Sequence, residues 1–171
     1  MSGRGLRIMR SMIVALVAGL SATQAVAQVA QAPAAFGVAD RAAVLVVHAV
    51  GAQIYECKAD PAGRAGWAFR EPIASLISEG RSIGRHYLGP TWELADGSAV
   101  KGALAQTAPG ATAADVPLLK LEVVEHRGAG VLTNARLVLR LNTRGGVLSG
   151  PCASVGELRA EPYSADYVFL R

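Results

Sequence analysis

One ten-residue stretch of this chain concentrates more reactive chemistry than any other. Gly84–Glu93 reads GRHYLGPTWE: a guanidinium (Arg85), an imidazole (His86), two aromatic rings (Tyr87, Trp92) and a carboxylate (Glu93) around a Gly-Pro bend. Rings of this kind stack on a sugar or a small aromatic molecule, while Arg and Glu direct hydrogen bonds to its polar atoms. Arg85, His86, Tyr87, Trp92 and Glu93 are therefore the candidate ligand-binding residues. A structural reading competes with this one, with Trp92 and Tyr87 in the core and Arg85 paired with Glu93. It carries weight because the chain holds only 2 Trp, 4 Tyr and 3 Phe from which to build a core.

The 3 histidines, His48, His86 and His126, form a second candidate set. Imidazoles converging with a carboxylate such as Glu56 or Glu93 would hold Zn or Cu. These residues are far apart in sequence, so only the fold can assemble them, and a lone strand histidine is otherwise a hydrogen-bonded structural residue. Asn142–Gly146 (NTRGG) offers either an anion-binding nest of backbone amides or a plain turn. The chain has no GxGxxG, Walker A, GxSxG, HExxH or CxxC. Dehydrogenase and hydrolase chemistry thus lack their usual signatures, and the sequence requires no cofactor.

The N-terminus is the most explicit signal in the chain. Arg4, Arg7 and Arg10 precede the apolar run Ser11–Leu20, and Ala25-Val26-Ala27 fits a small-x-small cleavage site. This is the order of a secretory signal peptide over residues 1–27, cut between Ala27 and Gln28. The apolar run is too short to span a bilayer, which needs about 20 residues, and no integral membrane segment is expected after cleavage. The full chain has 17 Lys+Arg against 13 Asp+Glu, but the signal holds three of the arginines and no acid. The remainder is nearly neutral, so the basic pI implies no nucleic-acid partner. The expected location is periplasmic or extracellular. There, two cysteines, Cys57 and Cys152, form a disulfide by default. Closing so long a loop is worth about 4.7 kcal/mol in the chain-entropy model.

These residues must be positioned by strands. Residues 28–40 are rich in Ala and Gln and read as a flexible leader into a single β-rich domain over 41–171. Val44–Val50 and Gln53–Cys57 are expected to be two strands joined through Gly51 as a hairpin or bent pair. Trp67–Arg70 should stop at Glu71-Pro72. Ser82–Leu88 and Thr91–Leu94 follow, then a turn at Asp96-Gly97 and a strand over 99–105. Residues 107–116 read as a loop, and Pro117 opens the next strand. Leu132–Asn142 is the clearest strand, with Leu137, Leu139 and Leu141 on a buried face and Arg136, Val138 and Arg140 on a wet one. Tyr163–Leu170 closes the chain. About eight to ten short strands without a long helix predict an all-β, single-domain antiparallel sandwich or barrel.

Several of these segments together resemble a known family. Gln53–Cys57, Gly84–Tyr87 with Gly89–Glu93, and Asp96-Gly97-Ser98 are similar to the motifs of a secreted bacterial and fungal family, domain of unknown function 3455. Arg140–Thr143 with Gly145-Gly146, Cys152, Pro162-Tyr163 and Ala165–Tyr167 extend the likeness over about residues 36–171. The resemblance implies export and a match at the family's Cys and His positions, but it assigns no activity. Some fungal members carry a malate dehydrogenase label; the missing dinucleotide fingerprint gives that no support here.

The expected function is a non-enzymatic exported module that binds a small molecule, glycan or envelope component through the Arg85–Glu93 region. One alternative is a metal-binding protein or metal-dependent enzyme using His48, His86 and His126. The other is a structural or stress-related envelope protein without a ligand.

Overall fold

A computed structural model of the chain describes residues 27–171. The export signal assigned to residues 1–27 lies outside the described residues, apart from Ala27 at its end. The described chain is all-β: eight strands, β1 Ala43–Ala59, β2 Ala65–Ser78, β3 Arg81–Tyr87, β4 Thr91–Leu94, β5 Ala99–Ala108, β6 Leu118–Arg127, β7 Leu137–Gly145 and β8 Leu158–Leu170. Each pairs with the next, and β8 returns to β1 to close a barrel. Every ladder is antiparallel, so the topology is a simple up-and-down meander. Closure leaves no continuous open edge of the kind that recruits other strands.

The Asp96-Gly97 turn forms as the sequence predicts. Gly97 takes φ 87°, a left-handed conformation open to glycine. Asp96 Oδ1 accepts hydrogen bonds from Ser98 N at 2.8 Å and Ser98 Oγ at 2.7 Å. Among the strand boundaries that differ from expectation, three have a clear physical cause. Gly51 is not a turn: β1 runs straight through it for 17 residues. The glycine is needed because β2 crosses so near that a Cβ there would lie 2.0 Å from the Ile73 carbonyl oxygen. The irregularity in its pairing with β2 falls instead between Ile54 and Tyr55, where the register shifts. Pro72 does not end β2 either. The β2–β3 ladder starts at Ala74, so Pro72 pairs with β1 alone and removes no bond toward β3. Finally, the strand expected over Leu132–Asn142 starts at Leu137, because Val131–Asn134 is a 3₁₀ turn.

That 3₁₀ turn closes one end of the barrel. Leu132 and Ala135 are fully buried and join the interior core. The turn is tied to the β4–β5 connection, since Val131 N donates to Asp96 Oδ2 at 2.8 Å. The interior core otherwise comes from inward-facing residues of the strands, among them Val47, Leu76, Trp92, Val100, Leu121 and Phe169.

β7 corrects the reading of a single buried face. Leu137, Leu139 and Leu141 are buried, but on the outside of the barrel. They are covered by Val29, Phe36 and Val38, so residues 28–40, expected as a flexible leader, pack as an apolar flap. Val138 and Arg140, expected on the wet face, turn into the barrel, where Arg140 lies opposite Tyr167 of β8 and Leu119 of β6. Alternation along β7 is real, but both of its faces find cover.

Cys57 and Cys152 stand at disulfide distance, with Cα atoms 5.8 Å apart. The bridge ties the irregular β7–β8 connection to β1, reinforced by Cys57 N donating to Glu157 O and Gly156 N to Cys57 O, each at 2.9 Å.

Two outcomes follow for stability. Cys57→Ala with Cys152→Ala should lower the free energy of unfolding in denaturant by about 2–5 kcal/mol. Phe36→Ala should cost about 3 kcal/mol, because the ring is only 1% exposed. A loose leader would show no loss at Phe36.

Candidate functional site

The candidate residues sit on β3 and β4, where successive side chains point to opposite faces. Register pairs His86 with Trp92 and Arg85 with Glu93. The set expected to line one ligand site is therefore split across the barrel wall. His86 and Trp92 face the interior; Arg85, Tyr87 and Glu93 face outward.

The outward three form one network with Arg127 of β6. Glu93 accepts from Arg85 Nη2 at 3.2 and 3.3 Å, from the Tyr87 hydroxyl at 2.7 Å and from Arg127 Nη2 at 2.7 Å. The Arg85 guanidinium also lies 5.0 Å from the centre of the Tyr87 ring. Led by the Tyr87 hydrogen bond and then those of the arginine, this holds the Glu93 carboxyl below the usual range. The arginine–glutamate pairing considered in the sequence is present, but Tyr87 belongs to this surface network and not to the core.

The inward pair is a stack. The His86 and Trp92 rings are 4.6 Å apart and within 9° of parallel. Tyr167 stands 5.0 Å from His86 and 5.2 Å from Trp92. Room for the indole comes from Gly102, where a Cβ would sit 3.1 Å from Trp92 Cζ3. His86 Nδ1 lies 2.8 Å from the Thr91 carbonyl oxygen. A carbonyl can only accept, so Nδ1 carries the proton and Nε2 a lone pair. Burial pushes the imidazole down to about 3, against some support from the Thr91 bond and with Arg140 adding to the push. The ring is thus a neutral base inside the barrel.

The histidines do not converge, which corrects the metal expectation for His48, His86 and His126. His48 is on the outer wall, its Nδ1 2.7 Å from Asp166 Oδ1. His126 is at the closed end, donating from Nε2 to Ala135 O at 2.8 Å. Among the described residues no group of three or more His, Cys, Asp or Glu is placed to hold a metal ion. The Asn142–Gly146 amides are not a free nest, since Gly145 N is held by Asp115 Oδ1 at 2.6 Å.

What the barrel does contain is a cavity of about 330 Å³. It is reached past the β1–β2 strands, the β3–β4 turn and the β5–β6 loop, at the end opposite the Val131–Asn134 plug. Tyr55, Phe69, Trp92, Leu119, Leu121 and Tyr167 make most of the wall. Besides its Tyr and Trp rings, the wall's polar side chains are Gln53, His86, Arg70 and Arg140, and among the described residues no carboxylate lines it. Two donors in the wall lack a partner: Gln53 Nε2, on a side chain 2% exposed, and Trp92 Nε1. Of the candidates read from sequence, only His86 and Trp92 belong here. Arg140, Gln53 and Tyr167 were missed. The apolar residues of 28–40 were the available signal, because an apolar flap must cover the leucine face of β7 and so turn Arg140 inward.

A neutral buried imidazole has a pH signature. From pH 6.5 down to about 3 the unfolded chain takes up a proton at residue 86 that the folded chain refuses. Its contribution is complete above 6.5 and falls on acidification, by up to about 1.4 kcal/mol per pH unit. His86→Phe, which keeps a ring against Trp92, should remove that slope between pH 6.5 and 4.5, above the carboxylate range. Urea unfolding at stepped pH checks this, and identical slopes in the two proteins would refute a neutral buried His86.

No curated protein and no solved structure matches the chain. A family model does, over residues 38–82 and 77–171, which takes in every strand of the barrel, both cysteines and the His86–Trp92 stack. The chain belongs to the family described as Protein of unknown function (DUF3455).

Proposed function

We propose that this protein is an exported binding protein that takes one small, largely apolar molecule into the barrel. The observation that carries the reading is the cavity of about 330 Å³, closed at one end and walled mainly by aromatic and aliphatic side chains. Eight-stranded barrels have an interior that side chains can fill or that can hold one small ligand. Here the interior side chains do not fill the barrel, and the space between Trp92, Leu119, Tyr167 and Arg140 stays open. Its size is at the lower end of ligand pockets generally.

The wall favours an apolar body over a glycan. A sugar needs several directed partners for its hydroxyls, and the charged groups that would have supplied them, Arg85 and Glu93, are bound to each other on the outer surface. The wall also suits binding better than proton transfer. His86 is held neutral, and burial pushes the Tyr163 and Tyr167 phenols up. A cysteine pair at disulfide distance supports work in an oxidising compartment, where such a bridge persists.

Titration with naphthalene-2-methanol, a neutral two-ring probe, should quench the emission of Trp92 and release heat in calorimetry with saturable one-to-one stoichiometry. Leu119→Trp, which fills the cavity from its wall, should abolish this while circular dichroism stays that of a folded barrel. Binding of equal strength in the filled variant would overturn the proposal.

A further inference from the structure

We propose that the cavity selects an anion: an apolar monocarboxylic acid whose carboxylate sits on Arg140. This rests on the binding reading above and adds the class of ligand. Arg140 projects from β7 into the barrel between Leu119 and Tyr167. Its Nε donates to Pro117 O at 3.0 Å, which orients the guanidinium beside the Tyr167 hydroxyl and leaves it without a carboxylate partner. No carboxylate lines the cavity, and Arg140 has no ion pair among the described residues.

The other charges nearby are accounted for. Arg70, also on the wall, is paired with Glu71 at 3.2 Å. Glu161, on the inward-facing side of β8 opposite Gln53, is paired with Arg159 at 3.7 Å and is not part of the wall. Among the described residues, the cavity wall therefore holds one cation without an ion-pair partner, partly covered by the side chains around it.

The orphaned groups point the same way. Gln53 Nε2 and Trp92 Nε1, on residues of the wall, are both donors, and neither places a competing negative group beside Arg140. A carboxylate supplies acceptors and negative charge together, and a guanidinium binds it through two parallel bonds. The apolar walls take the rest of the molecule. At about 30 Å³ per water the volume corresponds to about eleven waters, enough for a one- or two-ring aromatic acid or a medium-chain fatty acid. These share the chemistry of an apolar monocarboxylate.

The test is an isosteric series on the whole exported chain: 2-naphthoate, naphthalene-2-methanol and naphthalen-2-ylmethylammonium, with decanoate as the aliphatic arm. The acid should bind about tenfold or more tighter than the alcohol, as one charge-assisted pair requires, and the ammonium weakest. Arg140→Gln should bring acid and alcohol within about twofold of each other. Decanoate binding as tightly as naphthoate assigns an aliphatic acid, and weaker binding an aromatic one. If the alcohol binds and the acid shows no preference, the anion proposal fails while the binding reading stands. If none of the four binds, the binding reading itself has failed. Should Arg140→Gln not fold, the order within the unmodified protein still decides.

Discussion

β1 carries both ladders that close the molecule. Residues Ala43–Glu56 pair with β8, and His48–Ala59 pair with β2. Once those ladders meet, each strand position is committed to the inside or the outside, because a one-residue slip would exchange the two faces everywhere. Closure therefore decides that His86 and Trp92 stack inside while Arg85 and Glu93 pair outside, although all four lie within nine positions of sequence. It also forces β1 to pass close to β2, which only a glycine at position 51 permits.

The interior that results is filled unevenly. At one end Leu132, Ala135 and the strand residues around them complete a dry core. Toward the other, the chain spends its large rings on the wall, and Gly102 lets Trp92 lie flat against it. Neutral His86 and the protonated tyrosines sit in this region without unpaired charge of their own. Arg140 is the exception, and it stands on the part of the wall that remains open.

The outside of the barrel is finished by the segment that precedes it. Val29, Phe36 and Val38 cover the leucines of β7 together with Val168 and Leu170 of β8. A polar hub fixes the edge of this flap. Asp166 accepts from Gln28 Nε2 at 2.9 Å and from Asn142 Nδ2 at 2.8 Å, with His48 on its other oxygen. Asn142 reaches it from a left-handed backbone, φ 50°, at the register shift in β7. His48 is thereby accounted for as part of a structural junction between the flap and the barrel.

By itself, the sequence was enough for the all-β class, the Asp96-Gly97 turn, the strand over 91–94, the strand near 82–88 to within a residue at each end, and the pairing of Cys57 with Cys152. Each of these rests on local alternation, on turn chemistry or on there being only two cysteines to join. It also singled out His86 and Trp92, because rare polar and aromatic residues stand out without a fold. What tertiary structure alone decided is which way each residue faces and what covers it. Alternation along Leu137–Leu141 is equally consistent with either face being inside, since a period of two carries no direction. Only closure of the barrel, and the flap laid over the leucines, turned Arg140 inward and made it part of the cavity. The same closure kept three histidines apart that the sequence left free to meet.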